Sequence, residues 1–351
     1  MCGVEGNSLP ASSHHAMSLS ICIPTYERPD LLARALASVI GGSEGIAAEI
    51  EIIVSDDSRS EESSMLCERV FGTWVGRARY VQNRPGLGMV ANFNRCVAEA
   101  TGRYILILHD DDYLLRGGLR SIVAATLKKD QHPVLLFGVH VVDDTGKTMR
   151  RQIFAREQFL SADVAIRNVL SNSSYVRFPG VVAAADAYHA VGPFEIDLGG
   201  ATDFEMWLRL FARYGVMCLP EATSAYSVHP EAHTAGTFHA GTIATLARIF
   251  ERVVARGLLP AAVVRRCEAD FFAQFILGGV YRQIRVGNMI QAREVMALAD
   301  LPSVSALGPS RRWRPVQMAL SGLLLAPGPL ASHATRWLER IYMNAPILRS
   351  R

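Results

Sequence analysis

From residue 19 to residue 142 the chain repeats one arrangement: a short apolar run, a polar or acidic cluster, then a helix-length segment. Strand-like runs cover residues 19–23, 51–55, 78–82, 104–108 and 134–142. The most apolar of them, 19–23 and 104–108, suit strands buried in a sheet. The segments between them carry apolar residues at helical spacing. The first opens at Pro29 and puts Leu31, Leu32, Ala35, Leu36 and Val39 on one face. Further helices are expected around 61–71, over 88–100 and over 117–129, with a turn at Asp143-Asp144-Thr145-Gly146. Strands alternating in this way with helices imply a parallel, doubly wound α/β sheet with helices on both faces.

The polar clusters fall where the strands end: Pro24-Thr25-Tyr26, Asp56-Asp57 and His109-Asp110-Asp111-Asp112-Tyr113. Open α/β sheets bind ligands in the crevice outside those ends. Three adjacent carboxylates at the end of a buried strand repel one another and resist desolvation. A divalent cation removes that conflict. Oxygen donors suit Mg2+ or Mn2+, which complete their shells with water and substrate phosphates.

Half of the 351 residues are apolar, enough for a full core and long enough for two domains. The six cysteines are scattered without a CxxC pair, as expected of reduced thiols rather than a disulfide frame or a zinc site. The first seventeen residues have neither a basic nor an apolar signal region, so no secretory signal is expected. Net charge is only +3, but residues 236–351 hold 15 arginines, no lysine and 6 acidic residues, which leaves the rest at −6. Long Arg-bearing helices are expected at 242–256, 261–286 and 290–298. The organisation read from this is a loose arm (1–17), a catalytic α/β domain (18–238) and an Arg-rich helical region (239–351). No segment reaches the roughly 20 apolar residues of a membrane span; the nearest, 316–331, is interrupted by Pro327 and Pro329. The basic tail, with Trp313 and Trp337, suits either peripheral contact with an anionic membrane or a helical lid or dimer contact.

Three motifs need weighing. Gly86-Leu87-Gly88-Met89-Val90-Ala91 has the spacing of a dinucleotide fingerprint, but Asn83-Arg84-Pro85 separates it from the strand. Its glycines are instead expected to let backbone approach a ligand at a helix N-terminus. Asn92 and Asn94 are either helix-surface or site residues. His229-Pro230-Glu231-Ala232-His233 resembles a zinc-protease motif only superficially, because Pro230 disrupts the helix it needs. Thr202 and Glu205 have capping-box spacing, which leaves Asp203 unneeded for capping and able to face a cleft as a general base.

Taken together, these segments resemble the family 2 inverting glycosyltransferases of GT-A fold. The resemblance rests on Ser20–Arg28 in sequence (SICIPTYER), Ile53-Val54-Ser55-Asp56-Asp57-Ser58, Asn83–Gly88 (NRPGLG), Asn92-Phe93-Asn94, and Gly102-Arg103-Tyr104 leading into the aspartates. Val191-Gly192-Pro193-Phe194 and Asp203–Arg209 (DFEMWLR) complete it, over roughly residues 18–233. It implies a GT-A, mostly parallel doubly wound sheet with a C-terminal helical region. It also implies transfer of a sugar from a nucleotide-diphosphate donor, UDP or dTDP favoured, to an acceptor hydroxyl. That acceptor is expected to be a lipid-linked glycan in cell-surface polysaccharide synthesis.

Residue by residue, the resemblance implies that Pro24, Thr25, Tyr26 and Glu27 line the nucleotide site and that Asp56 binds the base imide. Arg84, Asn92 and Asp110 fall on the donor side; Asp111, Asp112 and His229 fall at the metal or diphosphate; Asp203 is the base. Two departures stand out: His109 occupies the first position of the usual DxD, and Thr202 the first of the usual Glu-Asp pair. The implied cofactor is Mg2+ or Mn2+. The partners are a nucleotide-sugar and a glycan or lipid-linked acceptor, with no nucleic acid, and the location is the cytoplasm, with peripheral contact at the inner face of the plasma membrane. A sugar nucleotidyltransferase would need a Gly-rich, basic loop after the first strand, where Pro24-Thr25-Tyr26-Glu27 stands. A non-catalytic sugar-nucleotide-binding protein would need neither Asp203 nor the aspartate run.

Overall fold

The computed structural model describes residues 17–128, 131–228 and 238–325. The chain divides into two compact units, one of residues 1–162 and 176–229, the other of 163–175 and 230–351. The second unit thus takes in a segment from the middle of the chain, which the sequence reading assigned to the catalytic domain.

The first unit opens with β1 (Leu19–Thr25), α1 (Pro29–Gly42), β2 (Ile50–Asp56), α2 (Glu62–Phe71), β3 (Arg77–Gln82), α3 (Met89–Glu99) and β4 (Tyr104–Ile107). Every residue of β1, β2 and β4 is buried, as strands covered on both faces must be. Pro29 lies in the first turn of α1, and Leu32, Ala35, Leu36 and Val39 form its buried face. The chain continues through β5 (Tyr113–Leu114), α4 (Gly118–Thr126), β6 (Val134–Val142), β7 (Thr148–Gln152), β8 (Gln158–Leu160) and α5 (Ala162–Ser171). It then forms β9 (Val181–Ala184), α6 (Ala185–Val191), α7 (Thr202–Tyr214) and β10 (Val216–Ser227).

The strands join one sheet in the order β3-β2-β1-β4-β9-β6-β10-β5, with β7 added to β6 and β8 to β10. The β3-β2-β1-β4 half is parallel, as expected. The other half departs from expectation. Strand β9 is antiparallel to both β4 and β6, while β5, β7 and β8 are antiparallel additions. The sheet is therefore mixed: β7 folds back on β6 through a short turn, while β10, which follows α6 and α7, pairs parallel with β6. In β10 the register against β6 shifts between Leu219 and Ala222. Pro220 lies there, and it has no N–H to give to a ladder.

Because β2 and β3 lie on one side of β1 and β4 on the other, strand order reverses between β1 and β4. That reversal opens a crevice at their C-terminal ends. Thr25 ends β1 there, and His109–Asp112 in sequence follow β4.

The second unit is helical, with α8 (Ala240–Ala255), α9 (Ala261–Arg285), α10 (Met289–Ala297), α11 (Pro302–Ser305) and α12 (Arg314–Leu325) after α5. Its core is aromatic: Phe250, Phe271 and Phe272 are buried and meet pairwise at 5.4–5.9 Å between ring centroids. Trp313 is buried beneath the Arg312 guanidinium, 5.7 Å from its ring, so it is no exposed membrane anchor. Trp337 lies outside the described residues. Among the described residues no helix is long and apolar enough to cross a membrane.

Candidate active site

The β1–β4 crevice concentrates charge. Thr25 Oγ1 donates to Asp110 Oδ2 at 2.8 Å, and Arg28 Nη1 lies 3.5 Å from a carboxylate oxygen of both Asp110 and Asp111. Burial, then the charge of Asp111, pushes the Asp110 carboxyl up to about 6, against the pull of Thr25, Arg28 and the Tyr26 N–H. Asp112 is 1% exposed. Its Oδ1 accepts from the Ser227 N–H at 2.8 Å, while its Oδ2 is buried with no hydrogen-bond partner among the described residues. Burial and Asp111 hold its pKa well above the ordinary carboxylate range, opposed by the Ser227 hydrogen bond and Arg34.

His109, Asp111 and Asp112 each bring one ligand atom within 4.8 Å of the others. A buried carboxylate oxygen without a donor, beside a second carboxylate and an imidazole, is a donor set that fits a divalent cation. His109 joins the donor set where sequence reasoning left the metal to Asp111, Asp112 and His229; His229 and the rest of the His229–His233 motif lie outside the described residues. The His109 ring is held by Phe93, stacked at 5.1 Å, and by Phe178 at 4.4 Å.

Asp203 lies in the first turn of α7 and is half-buried; its Oδ1 accepts from the Phe204 N–H at 2.6 Å. Desolvation raises its carboxyl to about 6, against the pull of that hydrogen bond and of Arg177. The capping box does not form. Thr202 lies inside the helix with its hydroxyl buried and unpartnered, and Glu205 binds Arg209 Nε at 2.7 Å instead. Arg209 in turn donates to the carbonyls of Val191, Gly192 and Pro193 at 2.5–3.0 Å. Asn94 closes two hydrogen bonds with the Phe194 backbone at 2.8 and 2.9 Å. The loop preceding α7 is therefore fastened from two sides, which holds Asp203 in place.

The nucleotide-side residues divide. Tyr26 is 55% exposed at the rim. Glu27 adopts a positive φ of 51° and bridges strand ends, accepting from the Arg59 N–H and the Ser60 hydroxyl. Pro24 is buried in the end of β1. Asp56 is fully buried, with Oδ1 accepting from the Ser58 N–H and Oδ2 from the Tyr80 hydroxyl, both at 2.7 Å. Asn92 is buried as well; it donates to the Ser55 carbonyl at 3.1 Å and accepts from Asn83 at 3.3 Å. Arg84 is exposed and paired with Glu61.

The glycine loop does not offer its amides to a ligand. Asp57 accepts from the Leu87 and Gly88 N–H groups at 3.1 and 2.8 Å, so the protein's own carboxylate occupies the turn. Gly88 is required there by a φ of 84°.

Sequence reasoning passed over Arg34, Arg177, Tyr226 and Ser227. Arg34 binds the Asp111 carbonyl and Ser227 Oγ, and lies 4.9 Å from the Tyr113 ring. An arginine beside the apolar face of α1 was a weak signal for it. No local pattern marked the other three, which reach the site through β9 and β10.

Comparison with known proteins agrees with this architecture. Residues 20–182 match the glycosyl transferase family 2 domain. The Mycobacterium tuberculosis protein MT1568 is 28% identical over 250 residues, covering 67% of this chain and 73% of that protein. The Campylobacter jejuni GalNAc(5)-diNAcBac-PP-undecaprenol beta-1,3-glucosyltransferase is 29% identical over 129 residues, covering 36% of this chain and 40% of that enzyme. Among solved structures, residues 1–349 of S. aureus TarS in complex with UDP-GlcNAc match with a TM-score of 0.59 at 15% identity, covering 87% of this chain and 92% of that one. At such identity the likeness is one of fold; against a longer TarS chain the match spans 55% of that chain. Strand-end chemistry, matching domain and shared fold converge: residues 20–182 carry a glycosyl transferase family 2 domain, on the GT-A fold.

Proposed function

We propose that the enzyme transfers a sugar, with inversion, from a nucleoside diphosphate donor to a hydroxyl of a lipid-linked glycan. The observation that carries this reading is the pairing of two unlike carboxylate environments in one unit. At one, Asp111 and Asp112 stand with an unmatched buried oxygen; at the other, Asp203 is lifted by desolvation but still mainly ionised at neutral pH. The C. jejuni relative, whose name specifies an undecaprenol-linked diphosphate acceptor, supports the acceptor class. Complexes of TarS with UDP-GlcNAc and UDP support a uridine nucleotide.

Asp203 takes the proton of the acceptor hydroxyl as that oxygen attacks the anomeric carbon. The bond from carbon to diphosphate breaks on the opposite face, and its electron pair leaves with the nucleotide. Asp111, Asp112 and His109 would hold Mg2+ or Mn2+, the imidazole favouring Mn2+. When bound, the cation supplies positive charge against the leaving diphosphate. Thr25 and Arg28 orient Asp110 toward the donor. Asn92, with its amide spent on strand ends, acts by positioning them. Asp56 can receive a base imide only if the Tyr80 or Ser58 contact gives way. The arginine surplus of the C-terminal region supports peripheral contact with anionic lipid, through exposed Arg311, Arg312, Arg314 and Met318.

A thermal-shift panel of UDP, dTDP and GDP with and without Mn2+ tests the reading. One nucleotide should stabilise the protein, more so with Mn2+, and Asp112→Asn should abolish the Mn2+ increment. Stabilisation by none of the three would remove the proposal.

A further inference from the structure

Arg177 is held at the junction of the two carboxylate environments. Its backbone enters the turn Phe178-Pro179-Gly180, where the Gly180 N–H donates to the Arg177 carbonyl at 2.9 Å. Phe178 packs against His109 at 4.4 Å and against Trp207 at 5.1 Å between ring centroids. His109 belongs to the end of β4, and Trp207 lies one helical turn after Asp203. The Arg177 guanidinium lies over the Tyr226 ring, 4.6 Å from its centroid. Tyr226 precedes Ser227, whose N–H binds Asp112. Electrostatically Tyr226 senses Arg177, Asp112, Asp111 and Asp203 together, so the pair stands among all three carboxylates.

The guanidinium itself is unfinished. Among the described residues its Nε is buried without a hydrogen-bond partner, and no carboxylate lies within ion-pair distance of it. Arg28 and Arg34, by contrast, are committed to Asp110, Asp111 and Ser227. Stacking on an aromatic ring fixes the plane of a guanidinium, and its fork then matches a phosphate in two-point geometry. A partly buried cation with open donors is costly unless an anion completes it.

Resting on the transferase reading, we propose that Arg177, laid on Tyr226, binds a phosphate oxygen of a diphosphate substrate between the β4 carboxylates and Asp203. The phosphate can belong to the donor nucleotide or to a prenyl diphosphate acceptor, and the two are separable.

Calorimetry without metal would compare wild type, Arg177→Met and Arg177→Lys. The ligands are the best nucleoside diphosphate of the panel against its nucleoside, and farnesyl diphosphate against farnesol. Arg177→Met should weaken one diphosphate about 10- to 100-fold and leave its phosphate-free counterpart unchanged. Arg177→Lys should lose less, because it keeps the charge but not the fork. The diphosphate that weakens identifies the source. Should Arg177→Met not fold, Tyr226→Leu, which removes only the platform, should give a smaller loss confined to the same diphosphate. Unchanged affinity for both diphosphates, or equal loss with and without phosphate, would overturn the proposal. A wild-type protein that binds no nucleoside diphosphate overturns the transferase reading and this inference with it.

Discussion

The two ends of the parallel half-sheet bury carboxylates in opposite ways. At the end where β1 and β2 begin, Glu51 is 1% exposed, yet one of its oxygens accepts from Ser20 Oγ, Thr101 N, Thr101 Oγ1 and Gly102 N at 2.5–3.1 Å. Arg77 Nε stands 3.9 Å from the other oxygen. At the end where β1 and β4 finish, Asp112 is as deeply buried but has one donor and one unmatched oxygen. Asp203 accepts from its neighbour's amide and feels Arg177, without an ion pair among the described residues. A buried charge that serves the fold is completed by the fold. A buried charge that serves chemistry is left for a ligand to complete, and the same folding free energy must absorb that cost.

Asp203→Asn tests the contrast most severely. Turnover should fall about 10²- to 10⁴-fold, with nucleotide affinity unchanged. The sign of its effect on stability also follows. The folded carboxyl sits near 6, above an unfolded value of about 3.9. The native state therefore binds the extra proton, and stability falls as pH rises through that window. The substitution should raise the urea midpoint at pH 8 and leave it unchanged at pH 3. A lowered midpoint at pH 8 would give Asp203 a structural role.

Glu51→Gln should do the reverse, costing about 2–3 kcal/mol in urea unfolding through weakened charge-assisted hydrogen bonds while the turnover of folded enzyme holds. Lost turnover at unchanged stability would erase the distinction between the two ends. A subtler measure is the pH profile: kcat/KM should decline about tenfold per unit below pH 6 as Asp203 takes up a proton. In the residual activity of Asp203→Asn the decline should be shallower, leaving only the part set by Asp110, whose carboxyl also lies near 6. The smallest effect belongs to Arg84→Ala, whose exposed pair with Glu61 is worth under about 1 kcal/mol. Donor affinity unchanged by that substitution would also remove Arg84 from the nucleotide site.

Much of this contrast was legible in the linear chain, and what was legible shares a cause. Strands 19–23, 104–108 and 134–142 announced themselves because burial on both faces demands a mainly apolar run, a property of neighbours, whereas 78–82, with Arg79 and Gln82 and no fully buried residue, was legible from its place in the alternation. The aspartates after Leu108 stood out because adjacent like charges at a buried strand end repel one another and resist desolvation. Other local signals misled. Thr202 and Glu205 have the spacing of a cap, but Arg209 claims Glu205 to clamp Val191–Pro193. Gly86 and Gly88 have the spacing of a phosphate loop, but Asp57, about thirty residues earlier, fills it.

Local pattern thus established where strands lie, where they end and that carboxylates gather at one edge, since each depends on residues close in sequence. Folding in three dimensions decided which carboxylate would be completed and which left open. Asp112 meets Ser227 across 115 positions, Arg34 meets Ser227 across 193, and β9 inserts antiparallel between β4 and β6. Such partners are chosen by packing over the whole sheet, where hydrogen bonds and desolvation are balanced between segments that no local periodicity connects.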